Sequence, residues 1–256
     1  MEGCNEAAVP VLLKLKLTEE KKAQVVDGTL YKQIVGSLRF LCTSRPDLSF
    51  GVGLISRFMH DPRTPHMAAA KHILRYLKST TDWGIFFPKA DEQNEVVLEA
   101  FSDSDWCGDK VERRSTYGYL FRYLDALISW CSKKYKVVAL SSCEAEYIAA
   151  SEVVCQSLWL EVVLEELKLD YKKLVQLNID NKSAINLSKN PTLHGRSKHI
   201  EMKFHFLRDQ VSRGKLTLLY CHTEEQTTDV FTKPLKQARF DKLRKHIGMS
   251  SLEFLD

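Results

Sequence analysis

"LEAFSDSDWCGD", residues 98–109, decides how this chain is read. Its apolar start reads as a buried strand, and Glu99, Asp103, Asp105 and Asp109 collect four carboxylates where that strand leaves the core. The chain as a whole is basic, with 37 Lys and Arg against 33 Asp and Glu and a net charge of +4. So much negative charge at one strand end, in a positive chain, asks for a cause.

With 256 residues, 44% of them hydrophobic, the chain can bury the core of one large domain or two modest ones. A charged fraction of 27% is ordinary, and the mild basic excess permits nucleic acid as a partner without demanding it. Cysteines 4, 42, 107, 131, 143, 155 and 221 form no CxxC pair, so neither a zinc ribbon nor a disulfide framework is indicated, and reduced intracellular thiols fit best. The opening MEGCNEAAVPVLLKLKL has its acid early and its lysines late, the wrong order for a secretory signal. No apolar run approaches the roughly 20 residues needed to cross a bilayer, so the expectation is a soluble chain with no membrane partner.

Upstream of the acidic strand, residues 1–27 carry no sustained period and read as a tail or truncated segment. Residues 28–82 read as a small helical unit: Leu30, Ile34, Val35, Leu38, Leu41 and Cys42 recur at helical steps, and two further helices fit 48–60 and 65–78. From residue 83 to 256 the period changes. Strands are expected at 85–87, 96–101, 117–123 and 126–131, with 136–140 continuing the sheet. Ser141 and Glu144 match a capping box opening a long helix to about Leu167. A buried strand (174–179), helices at 181–189 and 198–212 and a strand at 216–221 follow. Thr223 and Gln226 then form a second capping box, into a helix that Pro234 interrupts. The fold class is α/β.

Taken singly, each acid has a plain structural explanation. Asp103 suits a turn, Asp180 a helix cap, Glu144 the capping box, and Asp229 the first turns of a helix. The set is harder to dismiss. Asp103 and Asp180 both end apolar strands, whose neighbours in a sheet lie only ~5 Å apart. Glu146 sits in the first turn and a half of the long helix, where the cap does not need it, and Asp229 stands six residues after Thr223. Carboxylates converging on one point repel unless cations sit between them. Oxygen ligands select hard ions, and two Mg²⁺ held ~3.5–4 Å apart can serve the attacking water and leaving oxygen of a phosphodiester.

The stretches "LYKQIVGSLRFLCTSRPDLSFGV", "AAKHILRYLKST", "FSDSDWCGDKVERRSTYGYLF", "ISWCSKKYKVVALSSCEAEYIAA", "NIDNKSAINL", "KHIEMKFHFLRD" and "TTDVFTKPL" together resemble the C-terminal part of copia-type LTR-retrotransposon Pol polyproteins, the ribonuclease H region with the connection before it. The resemblance covers nearly all of residues 10–249. It implies a ribonuclease H-like mixed five-stranded sheet flanked by helices, after a thumb- or connection-like helical unit. It also implies Mg²⁺-dependent endonucleolytic hydrolysis of the RNA strand of RNA/DNA hybrids, with two ions for which Mn²⁺ can substitute. Carried over by position, Asp103 bridges both metals, Asp229 helps hold the metal of the attacking water, and Glu146 with Asp180 hold that of the leaving oxygen. Integrase cores place their acids in the order Asp, Asp, Glu, whereas here glutamate is second. No adjacent Asp-Asp pair occurs, so a polymerase palm is absent and a longer polyprotein is expected to supply palm and fingers. The expected setting is cytoplasmic, in virus-like particles of an intact element, or nuclear. The chain itself is expected to be a truncated or degenerate copy, or a cut fragment.

Other signals are weaker. Arg113 and Arg114 follow the acidic mouth and are candidates for substrate phosphates, as are Arg196, Lys198, Lys203 and Arg208 in the basic stretch 194–215, where a solvated helix face explains them equally well. His194, His199 and His205 lack the pairing that sets two imidazoles on one helix face, which argues against zinc. His222 is a candidate for product release through the resemblance. Trp106 and Trp130 fit core or rim positions better than base stacking. The rival to a nuclease is a catalytically silent nucleic-acid-binding or assembly remnant.

Overall fold

The computed structural model describes residues 3–19, 22–89, 96–109, 111–189 and 198–254. In chain order the elements begin α1 (Gly28–Leu41), α2 (Ser49–Ser56), α3 (Thr64–Lys78), β1 (Trp83–Ile85), β2 (Val97–Ser104), β3 (Thr116–Tyr123) and β4 (Ala126–Lys134). They continue α4 (Ser142–Glu166), β5 (Lys172–Ile179), α5 (Lys182–Lys189), α6 (Lys198–Ser212), β6 (Leu216–Tyr220), α7 (Gln237–His246) and β7 (Met249–Ser251). Two compact units result, one of residues 1–86 with 233–256 and the other of residues 87–232.

The second unit is built on a five-stranded sheet of order β4-β3-β2-β5-β6. The hairpin turns join β2, β3 and β4 antiparallel, and the crossovers through helices make β2, β5 and β6 parallel. This is the mixed, helix-flanked, five-stranded sheet that the resemblance implied. Leu98, Ala100 and Leu177 of the sheet pack with Tyr147, Val153, Val154 and Leu160 of α4. By length and composition α4 is long and apolar enough to cross a bilayer, which the sequence reading missed, but here its buried side chains form the core of this unit.

Two expected elements differ. Residues 136–140 form no strand, because β4 runs out of partner where Lys134 pairs with Thr116, the first residue of β3. The second capping box does not open an α-helix. Thr223 donates its hydroxyl to Asp180 at 3.1 Å and the Gln226 amide donates to the Ser102 carbonyl at 2.9 Å, so the segment folds as 3₁₀ turns at Thr223–Glu225 and Thr227–Phe231.

The first unit contains α1–α3, the two-stranded β1–β7 ribbon and α7. Asp27 caps α1, accepting from Thr29 and Leu30 amides. The expected 1–27 tail is packed: Ala7 and Val11 are buried, and His72 and His66 of α3 bond the Val9 and Thr18 carbonyls at 2.9 Å. Residues 233–256, expected with the ribonuclease H-like domain, cluster with this unit instead. The cause is local: β7 completes the ribbon with β1, and Arg244 of α7 donates to the Tyr76 hydroxyl at 3.0 Å. Tyr76 in turn donates to Asp47 at 2.6 Å, which pairs with Arg45 at 2.7 Å.

Burial pushes the phenols of Tyr31, Tyr76, Tyr117, Tyr119 and Tyr135 well above their ordinary range. The unfolded chain therefore ionises first. Their contribution to stability is complete below pH ~10 and is lost as pH rises above it, by up to ~1.4 kcal/mol per tyrosine per unit. Thermal melts in reductant from pH 8 to 11 are expected to show a steep fall above pH ~10, and a flat profile contradicts this.

Candidate metal centre

Strand register makes the site. The parallel β2–β5 ladder pairs Phe101 with Asn178, so two residues further on Asp103 and Asp180 leave the sheet level with each other. Glu146 is brought to the same point from the first turns of α4. The Ser104 backbone N–H, at the end of β2, donates to its Oε1 at 3.2 Å. One carboxylate oxygen from each of Asp103, Glu146 and Asp180 then lies within 4.8 Å of the others. Asp103 and Glu146 are buried, and Asp180 is half-buried.

Neighbouring hydroxyls hold two of the three in place. Thr232 donates to Asp103 Oδ2, and Thr223 donates to Asp180 Oδ2. The capping explanations fall to other residues. Asn181, not Asp180, caps α5 by accepting from the Ala184 amide at 3.0 Å. At the start of α4, Ser141 accepts from the Glu144 amide at 3.1 Å while Glu144 accepts from the Leu140 amide at 2.7 Å, so Glu144 is spent on the helix end and Glu146 is not. The gathered charge is felt nearby. Burial, then the negative charges of Asp180 and Glu146, push the Cys221 thiol up to about 12, and burial with Glu146 and Glu144 raises that of Cys143.

Asp229 is not one of the three whose oxygens lie within 4.8 Å of one another. It is buried on the 3₁₀ turn Thr227–Phe231, three residues before Thr232. That segment lies directly on the sheet. Ser132 donates to the Phe231 carbonyl at 2.6 Å, and a Cβ on Gly118, the β3 partner of Asp103, would come within 2.5 Å of Phe231 Cβ. Sequence reasoning gave no role to Ser104, Gly118 or Thr232, although the motifs "FSDSDWCGDKVERRSTYGYLF" and "TTDVFTKPL" contain them, and it read Thr223 only as a helix cap.

Three carboxylates offering only oxygen at this separation suit a divalent cation. All seven cysteines are free thiols. Of the expected phosphate contacts, Arg113 is exposed on a left-handed residue (φ 53°) and Arg114 pairs with Glu112 at 2.7 Å. Arg208 hydrogen-bonds Tyr147, and Lys203 pairs with Glu152. Arg196 and the side chain of Lys198 lie outside the described residues, as do His194 and the side chain of His199. His222 is exposed and packs edge-on against Tyr220, 5.4 Å between ring centres. Trp106 is half exposed with its indole N–H on the Ala139 carbonyl, a rim position as expected.

No family model matches the chain. It is 40% identical over 242 residues to the retrovirus-related Pol polyprotein from transposon RE2 of Arabidopsis thaliana, covering 94% of this chain and 16% of that protein. It is 38% identical over 259 residues to the corresponding polyprotein from transposon TNT 1-94 of Nicotiana tabacum, covering 98% of this chain and 19% of the relative. Among solved structures, the N-terminal RNase H domain of a Mycobacterium tuberculosis protein is similar at 11% identity and a TM-score of 0.40, covering 59% of this chain and 98% of that one. The chain thus spans less than a fifth of the length of these polyprotein relatives. Along that stretch it is a homologue of the Pol polyproteins of copia-type transposons.

Proposed function

We propose that the 87–232 unit is a ribonuclease H that hydrolyses the RNA strand of RNA/DNA hybrids, leaving 5′-phosphate and 3′-hydroxyl ends, within a longer polyprotein that supplies palm and fingers. One observation carries this reading: Asp103, Glu146 and Asp180, remote in sequence, bring oxygens within 4.8 Å at the mouth of a ribonuclease H-like sheet. Kinship with transposon Pol polyproteins supports the choice of substrate.

Asp103, Glu146 and Asp180 would hold Mg²⁺, and Asp229 adds a fourth carboxylate on the adjoining segment. Bound there, the ions supply an activated water and neutralise charge on the scissile phosphate. The chain's own part is preorganisation. The Ser104 N–H aims Glu146, the Thr232 hydroxyl aims Asp103 and the Thr223 hydroxyl aims Asp180, so the carboxylates need not reorient when substrate arrives. Arg113, exposed on the loop after β2, is the cation we assign to the phosphate backbone of the substrate.

The test is cleavage of a hybrid labelled on its RNA strand, in magnesium and in EDTA, by wild type and Asp180→Asn. Cleavage is expected only with metal, and slower by about 100-fold in the variant. Equal rates overturn the proposal. Binding of the hybrid by wild type without metal-dependent cleavage replaces it with the silent-remnant reading.

A further inference from the structure

The positive excess of this protein is concentrated in one short stretch. Residues 233–246, KPLKQARFDKLRKH, contain Lys233, Lys236, Arg239, Lys242, Arg244 and Lys245 against Asp241 alone, a balance of +5 where the whole chain has +4. Most of the stretch is α7. Arg239, Lys242 and His246 recur at three- and four-residue steps and so share one helix face, with Lys245 beside them. Lys242, Lys245 and His246 are exposed. The one acid is engaged within the helix by Arg244, at 3.2 Å.

Beside these cations lies an open groove of about 400 Å³, lined by Trp83, Phe86, Lys245, Gly248, Met249 and Ser250. Its aromatic residues are held firmly. The Arg244 guanidinium sits 3.5 Å from the centre of the Trp83 ring and is itself fixed by Tyr76 and Asp241. Phe86 is tied through its backbone N–H to the Gly248 carbonyl at 2.8 Å, yet 43% of its surface is exposed. An exposed phenylalanine costs free energy in water, and a rigid aromatic floor bordered by lysines fits a ligand with flat apolar faces and negative charge. Single-stranded nucleic acid has both, whereas a duplex has its base faces already stacked.

We propose that this groove binds single-stranded nucleic acid, with a base stacked on Phe86 and Trp83 and phosphates met by Lys242 and Lys245. The surface belongs wholly to the first unit and requires no cleavage, so it stands or falls separately from the nuclease reading.

Anisotropy of a short fluorescent thymidine oligonucleotide, titrated with the full chain in EDTA across a salt series, tests it. Wild type is expected to bind, and an unlabelled duplex of the same length is expected to compete about tenfold less well. Phe86→Ala should weaken binding at least about fivefold, as the loss of one stacked base does. Lys242→Glu with Lys245→Glu should weaken it about tenfold or more and reduce the slope of log K against log salt by about 1.4, or 0.7 per lost phosphate contact. These positions are exposed, and circular dichroism is expected to show wild-type folding. No binding by wild type, wild-type affinity in both variants, or a duplex that binds equally well and ignores Phe86→Ala overturns the proposal.

Discussion

Asp103→Asn is expected to remove hybrid cleavage almost entirely, a loss of about a thousandfold or more, while leaving the metal-free protein at least as stable as wild type. The rate loss follows from the several kcal/mol that metal-held charge supplies to phosphoryl chemistry, each 1.36 kcal/mol being tenfold. The stability claim follows from the same geometry. Asparagine has the size of aspartate, and its amide oxygen can still accept from Thr232, so that donor keeps its partner. What disappears is one of three like charges whose oxygens lie within 4.8 Å. At an effective dielectric of about 20 such a pair repels by roughly 3 kcal/mol, an upper limit because solvent reaches half-buried Asp180. Thermal melts separate the two effects. Magnesium at about 100 times its dissociation constant should stabilise wild type by about 2.7 kcal/mol, or roughly 5–10 °C for a unit of this size. The variant should show no such rise. A variant that keeps both the magnesium-dependent rise and its cleavage rate sinks the metal assignment, whatever its fold.

Gly118→Ala should strike the same site through packing. Gly118 pairs with Asp103 across the β2–β3 ladder, and directly opposed residues project to one face of the sheet. An alanine methyl there would meet Phe231 Cβ at 2.5 Å, Thr232 Cγ2 at 3.2 Å and the Cys131 carbonyl at 3.3 Å. None of these is the far end of a flexible side chain, so either β3 bows or the 227–232 segment lifts. Overpacking of this kind costs about 1–3 kcal/mol. Lifting the segment also withdraws the Thr232 hydroxyl from Asp103, and losing such a supporting contact costs a further 10–100-fold in rate at metal sites, by order of magnitude. Thr232→Val, which deletes the hydroxyl and keeps the shape, isolates the second effect. The expected pattern is a lowered Tm and slow cleavage in Gly118→Ala, against slow cleavage with a smaller Tm change in Thr232→Val. A Gly118→Ala protein with wild-type Tm and rate shows that the segment does not rest on that strand as described.

Much of this was legible in the amino-acid sequence because the residues concerned act locally. Strand ends at Asp103 and Asp180, and a helix start that spends Glu144 on its cap and spares Glu146, follow from hydrophobic period and capping chemistry alone. What escaped depends on partners far along the chain. Thr223 looked like a helix cap because Gln226 follows at the right spacing, but Asp180 and Ser102 take up those two side chains instead. The apolar and polar mixture of 136–140 does not reveal that β3 has already ended opposite Lys134. Likewise the small size of Gly118 has meaning only once Phe231 is known to lie over it, and the helix at 237–246 betrays nothing of its partner because β7 finds β1 across more than half the protein.

That last pairing bears on how the chain is made. Residues 87–232 are an insertion between two pieces of one unit, so on the ribosome all their strands emerge before α7 and β7 do. The five-stranded unit can close on itself while β1 still waits for its partner, and the first unit is completed only after the whole of residues 87–232 has been made. A nascent chain whose Thr232 has just cleared the ribosome would therefore carry a finished sheet and an open helical unit, and that open unit is the part a chaperone would meet.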